Sequence, residues 1–164
     1  MAKLSKEDDA KVVMERCNQD YVVSKLTKRS KSKKARLPFT TSTLQQEAST
    51  KLNFGARKTM SVAQRLYEGI DVGSGQEGLI SYMRTDSTRL SPLFVQDAEN
   101  YIEQTYGKEY MGKAHQKNSA NAQDAHEAIR PTDITRTPES IKSYLNNDEY
   151  RLYSLIYART LASL

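Results

Sequence analysis

The sequence predicts a mainly α chain with a few short strands, organised around a helix-turn-helix pair. Three observations predict it. Apolar residues recur at three- and four-residue spacing through much of the chain after Thr40. Capping residues precede several of these runs and glycines follow them. Alternating runs suited to a strand are short and few.

Taken in order, Ser5-Lys6-Glu7-Asp8 reads as a capped helix start, with Val12, Val13, Arg16 and Cys17 following at helical spacing. Tyr21 to Thr27 alternates as a strand would. Lys25 to Arg36 then carries seven bases and no acid, the pattern of a solvated linker or flexible arm. Pro38 marks a boundary. Leu44, Ala48 and Leu52 recur every four residues, and Gly55 stops that helix. Met60, Ala63, Leu66, Tyr67 and Ile70 define the next, ended near Gly69. The Asn53-Phe54-Gly55 joint makes the two a helix-turn-helix arrangement, which by spacing alone is more often a packing unit than a DNA reader. Asp71 to Gly78 holds three glycines and reads as a flexible loop. Ser91-Pro92 is a helix start with serine as N-cap and proline at N1. Phe94, Ala98, Tyr101 and Ile102 give that helix its apolar face, and Gly107 ends it. Tyr110 to Asn121 is polar and loop-like, and Thr137-Pro138 and Asn147-Asp148 open two final helices. Leu152, Leu155, Ile156 and Tyr157 line one side of the last. Tyr150, Tyr153 and Tyr157, at helical intervals, suit packing better than base stacking.

Length and composition bound the class. A chain of 164 residues suffices for one domain with a proper core. Leu, Ile, Val and Phe make up less than a fifth of it, a value that raises the question of disorder. Against that, the net charge is only +5, and ten tyrosines and five methionines add apolar bulk. A folded, polar domain follows. The sequence pI near 9.2 points to an anionic partner. The single cysteine, Cys17, cannot form an internal disulfide and reads as a half-buried helix residue; no Cys/His spacing suggests zinc. No apolar run approaches the roughly 20 residues that span a bilayer, and Met1 to Asp9 is too charged for a signal peptide, so a cytoplasmic location away from membranes is expected.

The chemistry concentrates in Gly78-Leu79-Ile80-Ser81-Tyr82-Met83-Arg84-Thr85-Asp86-Ser87. In an extended segment residues i and i+2 point to the same side, so Tyr82 and Arg84 would face one pocket, a nucleophile beside a phosphate-binding guanidinium. A phenol is only about one part in a thousand ionised at pH 7 and needs a nearby positive charge or base as it attacks phosphorus. It also leaves phosphorus more readily than an alkoxide, which makes the attack reversible. By spacing alone, Tyr82 is more often a structural residue at a strand end. Arg84 can grip two phosphate oxygens or form a surface ion pair with Asp86. Asp86 either orients Arg84 or is structural, and Thr85, Ser87 and Thr88 either cap the turn or touch phosphate. A lone histidine such as His126 is ordinarily structural, and the lack of a second histidine four residues on excludes a zinc-protease motif. Glu127 reads as structural or supporting, and His115 has no assigned role.

Three blocks carry a family resemblance. Glu77 to Arg89 resembles the active-site segment of type IA DNA topoisomerases. Pro38-Phe39-Thr40-Thr41-Ser42-Thr43-Leu44-Gln45-Gln46-Glu47-Ala48 and Gln123-Asp124-Ala125-His126-Glu127-Ala128-Ile129-Arg130-Pro131 resemble two more, in the family's order. Arg57-Lys58-Thr59-Met60 and Ala63-Gln64-Arg65-Leu66-Tyr67-Glu68 fill the space between them as the family does. Met83 fits the bacterial topoisomerase I branch, since topoisomerase III relatives usually carry proline there. The likeness runs from about Lys25 to the end.

The resemblance implies a catabolite-activator-like helix-turn-helix fold and makes Tyr82 and Arg84 the catalytic pair. It gives His126 and Arg130 a phosphate-contacting role beside Asp86 and Thr85, and adds Gln45, Gln46 and Arg57 as DNA contacts. It divides the chain into residues 1–36, a piece of the neighbouring gate domain (domain II) with its basic linker, and 37–164, the tyrosine domain (domain III). Its implied activity is ATP-independent relaxation of negatively supercoiled DNA through single-strand cleavage, a 5′-phosphotyrosine intermediate, strand passage and religation, in the nucleoid. The Mg²⁺ of that reaction belongs, by resemblance, to an Asp-x-Asp-x-Glu cluster on a Toprim domain, a motif this sequence lacks. The expected partners are therefore single-stranded segments of DNA and the Toprim and gate domains, and the chain by itself is expected to be inactive. The alternative of another class is a non-catalytic helix-turn-helix DNA-binding module.

Overall fold

The computed structural model describes residues 6–17, 22–31, 35–112 and 126–164. The chain forms two units, Met1–Lys33 and Lys34–Leu164, each considered by itself. The first holds α1 (Glu7–Arg16), which has acidic residues in its first turn, a basic one in its last and no buried side chain. Its N-cap is Lys6, with no capping side chain, so the serine cap expected at Ser5 falls outside the described residues. Cys17 is exposed at the helix end rather than half-buried within it. The strand expected over 21–27 does not form: residues 22–31 have no regular structure and Val22, Val23 and Leu26 are exposed. Alternation without a partner strand leaves the backbone nothing to pair with.

The second unit packs α2 (Thr41–Leu52), α3 (Ala56–Glu68) and α5 (Asn147–Leu161) together, with α4 (Pro92–Thr105) completing the helices. The mainly α class is as expected. Thr40 caps α2 through a reciprocal box with Thr43. The helix is stopped by Asn53 in the left-handed conformation, φ 58°, and Gly55 instead serves as N-cap of α3. Thr59, Val62, Ala63 and Leu66 are the buried stripe of α3. Tyr67 lies off that stripe, and Ile70 lies beyond the helix. Ser91 accepts the Phe94 amide at 3.3 Å with Pro92 as first residue of α4, and Asn146 forms a capping box with Glu149 at α5. Arg65 Nε donates to Glu149 Oε1 at 2.8 Å, tying α3 to α5, and Arg151 Nη2 donates to the Leu52 carbonyl at 3.0 Å, satisfying an end carbonyl of α2.

Two local expectations change. Residues 71–78 are not simply a loop: β1 (Ile70–Asp71) and β2 (Gln76–Glu77) pair antiparallel around a turn where Gly73 and Gly75 take positive φ. Thr137-Pro138 opens turns and a 3₁₀ segment at Lys142–Tyr144, not an α-helix. There the Ser140 hydroxyl donates to the Thr137 carbonyl at 2.8 Å, a local bond that competes with helix propagation. Most of the expected loop after Tyr110 lies outside the described residues.

The core draws on every layer: Phe39, Leu44, Leu66, Leu79, Ile80, Met83, Ile129, Leu152, Tyr153 and Ile156 are all fully buried. Each such side chain contributes on the order of 1.5–3 kcal/mol by leaving water. Five of them, Phe39, Leu79, Ile80, Met83 and Ile129, lie outside the helices and strands, so burial joins scattered backbone hydrogen bonds in holding those segments down. No described helix is long and apolar enough to cross a membrane.

Candidate functional site

Residues 78–85 run as an irregular segment locked along its length. Upstream, the Leu79 amide donates to the Leu66 carbonyl near the end of α3 at 2.7 Å. Gly78 makes that approach possible, because a Cβ there would stand 2.6 Å from the Tyr67 carbonyl oxygen. On the other side lies the 128–132 segment. The Ser81 amide donates to the Arg130 carbonyl at 2.9 Å and the Thr132 amide to the Leu79 carbonyl at 3.1 Å. The Ser81 hydroxyl donates to the Ala128 carbonyl at 2.7 Å and accepts the Arg130 amide at 2.9 Å. Downstream, the Thr41 hydroxyl donates to the Met83 carbonyl at 2.7 Å and accepts the Thr85 amide at 2.9 Å, while the Thr41 amide donates to the Thr85 carbonyl at 2.9 Å.

Only one isolated bridge, Ile80 to Pro131, marks this segment as extended, and residues 81–84 bend instead of continuing as the expected strand. The side-chain alternation survives all the same. Met83 is 0% and Thr85 8% exposed, whereas Tyr82 is 44% exposed and Arg84 and Asp86 are exposed as well. Burial of Met83 and Thr85 therefore turns Tyr82, Arg84 and Asp86 toward solvent. The Tyr82 ring meets Tyr67 of α3 edge to face, with centroids 5.3 Å apart. Among the described residues the Arg84 and Asp86 side chains make no hydrogen bond or ion pair, so the alternative of an Arg84–Asp86 pair is not formed.

The other candidates are arranged differently. His126 is exposed at the start of the 126–132 segment. Arg130 spends its guanidinium on the protein: Nε donates to Glu127 Oε2 at 2.8 Å, Nη1 to the Pro131 carbonyl at 2.9 Å, and the group lies 4.2 Å over the Phe94 ring. Thr85 is buried and its hydroxyl accepts the Ser87 amide at 3.1 Å, shaping the turn. Gln45 is half-buried on α2, and Arg57 is exposed in the first turn of α3. The structure thus draws Tyr82, Arg84 and Asp86 to one exposed strip and joins the backbone of 128–132 to it. Thr41, Ser81, Gly78 and Tyr67 were missed as site residues. Only Gly78 carried a sequence signal, as the glycine opening an apolar run; the others act through contacts remote in sequence. No group of three or more His, Cys, Asp or Glu side chains suited to a metal occurs among the described residues.

Comparison with known proteins adds two findings. A family model described as DNA topoisomerase matches residues 1–164. The structure is similar to that of full-length topoisomerase I from Thermotoga maritima, with a TM-score of 0.70 and 48% sequence identity, covering 79% of this chain and 20% of that one. The match thus spans about a fifth of that topoisomerase's length.

Proposed function

The chain belongs to the type IA DNA topoisomerase family, and from that premise we propose that Tyr82 is its strand-cleaving nucleophile. Tyr82 Oη attacks a phosphorus of single-stranded DNA, the Oη–P bond forms, the P–O3′ bond breaks, and a 3′-hydroxyl departs with a proton while the phenolic proton is given up. The product is a 5′-phosphotyrosine. Attack by the same hydroxyl reverses each step, so a strand is cut and resealed without ATP, and passage of a second strand in between relaxes negative supercoils. Arg84 holds the phosphate oxygens and offsets the charge that builds on them. One charge-assisted hydrogen bond contributes roughly 1.5–3 kcal/mol, about one to two decades in rate where it forms only in the transition state. Asp86, on the same exposed strip, orients the strand; His126 touches a neighbouring phosphate; Gln45 and Arg57 contact DNA farther off. Arg130, paired with Glu127, is assigned to holding the 126–132 segment in place.

The observation that carries this reading is the exposed Tyr82–Arg84–Asp86 strip on a segment fastened at both ends, within a chain of this family. No group of His, Cys, Asp or Glu side chains suited to a metal occurs among the described residues, and the Mg²⁺ of the whole enzyme would be held by a Toprim domain, where it would offset phosphate charge. The chain by itself is accordingly expected to bind single strands and cleave them poorly. Its place of work is the cytoplasm, at the nucleoid.

The test uses single-stranded oligonucleotides labelled at one end or the other, incubated in Mg²⁺ with and without a Toprim-containing partner. Adduct that retains the 3′-end label, and only with the partner, supports 5′ linkage. Adduct on the 5′-end label would mean a 3′ linkage and overturn the reading.

A further inference from the structure

Away from Tyr82, the segment 36–38, α2 and the end of α5 enclose a cleft of about 590 Å³. Its floor is Glu47, whose side chain is 10% exposed. Three cations converge on that one carboxylate: Lys51 Nζ at 2.6 Å from Oε1, Arg36 Nη1 at 3.2 Å from Oε2, and Arg159 Nη2 also on Oε2. The cleft therefore holds two positive charges more than its acid neutralises. Arg159 is fixed, 11% exposed, 4.3 Å over the Phe39 ring and donating from Nη1 to the Leu37 carbonyl at 3.2 Å. Arg36 and Lys51 are 67% and 59% exposed, with donors to spare. Gln46 and Thr88 line the same cleft, and their side chains make no hydrogen bond among the described residues. Burial first, and the Arg36 charge second, lower the Arg159 guanidinium below its ordinary pKa.

We propose that this cleft seats a phosphate of a single DNA strand, gripped by Arg36 and Lys51 over the Glu47–Arg159 floor, with Gln46 and Thr88 as neutral donors. A phosphodiester supplies the missing negative charge and several acceptor oxygens, whereas a carboxylate or apolar ligand would leave donors unmet. Thr88 lies six residues beyond Tyr82 in the chain that continues from the tyrosine segment. The proposal rests on the reading of this chain as a DNA-cleaving domain.

The test is fluorescence anisotropy of a labelled oligothymidylate across a salt series. It compares the wild-type chain, Arg36→Ala/Lys51→Ala and Arg84→Ala, with a urea curve for each. The double variant removes exposed groups and keeps the fold. Its affinity is expected to fall about tenfold or more, with a log-log salt slope shallower by about 0.7, the share of one phosphate. A purely structural ion-pair network would move the urea midpoint and leave the slope alone, which would overturn the proposal. Binding within twofold of wild type in the double variant, whatever Arg84→Ala does, would also overturn it while the Tyr82 reading stands. Absence of oligonucleotide binding by the wild type would overturn both. Inorganic phosphate at matched ionic strength is the last arm. If it raises the melting temperature of the wild type but not of the double variant, and oligonucleotide binding is unchanged between them, the seat belongs to free phosphate and the DNA proposal fails.

Discussion

The ring of Tyr67, in the last turn of α3, meets the ring of Tyr82 edge to face, with centroids 5.3 Å apart and planes at 66°. The contact sets the direction of the phenol, whose side chain the backbone bonds of the 78–85 segment leave free. An edge-to-face pair contributes about 0.5–1.5 kcal/mol beyond area burial. Tyr67→Leu is therefore expected to slow adduct formation by about two- to tenfold with little loss of stability, and Tyr67→Phe to restore it. Single-turnover trapping rates on the three proteins, with a Toprim partner present, check this.

Arg84 is predicted to act in the transition state more than in binding. Arg84→Ala should lower the cleavage rate by about ten- to a hundredfold, and Arg84→Lys should recover only part of it, because an ammonium cannot hold two oxygens in a fixed fork. Cleavage rates at saturating oligonucleotide separate this from a weaker Kd.

Gly78 has no room for a side chain, since a Cβ would press on the Tyr67 carbonyl at 2.6 Å and that oxygen is backbone. Gly78→Ala is expected to cost about 1–3 kcal/mol, the usual scale of overpacking, and to displace the tyrosine segment from α3. Urea denaturation reads the first effect, and adduct yield the second.

Thr41 fastens the other end. Thr41→Val keeps the shape but leaves the Met83 carbonyl and the Thr85 amide without their hydroxyl partner. Each buried group so stranded costs about 1–3 kcal/mol. Thr41→Ser retains the hydroxyl and is expected to stay close to wild type in the same urea assay.

Two buried phenols set an alkaline limit. Tyr153 and Tyr157 donate to the Arg136 and Ile134 carbonyls at 2.8 and 2.7 Å, and burial pushes both well above their ordinary pKa of 10.0. The folded state holds these protons more tightly than the unfolded chain does. Their contribution is thus complete below pH 10 and is lost progressively as the pH rises above it toward the folded values. Tyr153→Phe should flatten the decline of stability above pH 10, measured by urea midpoints at stepped pH.

The helices of the second unit were readable because their signals are local: Ser91 at its cap, and Leu44 and Ala48 or Phe94, Ala98 and Ile102 at helical spacing. The hairpin at Ile70–Asp71 and Gln76–Glu77 was not, since two-residue strands have no period to detect. The 21–27 segment showed the opposite error, alternation with no partner to pair with. At the candidate site, the shared exposure of Tyr82 and Arg84 was legible from their spacing alone. What holds them was not: the Thr41 hydroxyl reaches across 42 residues to Met83, and the Arg130 amide across 49 to Ser81. Those pairings exist only once α2 and the 128–132 segment have packed on the core.

The identity of the nucleophile is the central claim, and mapping the covalent adduct tests it most directly. Tryptic digestion of the trapped complex yields a peptide over residues 66–84 that contains both Tyr67 and Tyr82, so tandem mass spectrometry must assign the nucleotide mass to one ring. The account predicts it on Tyr82 Oη, with no adduct from Tyr82→Phe. Nucleotide on Tyr67, on any other residue, or retained in Tyr82→Phe would contradict it.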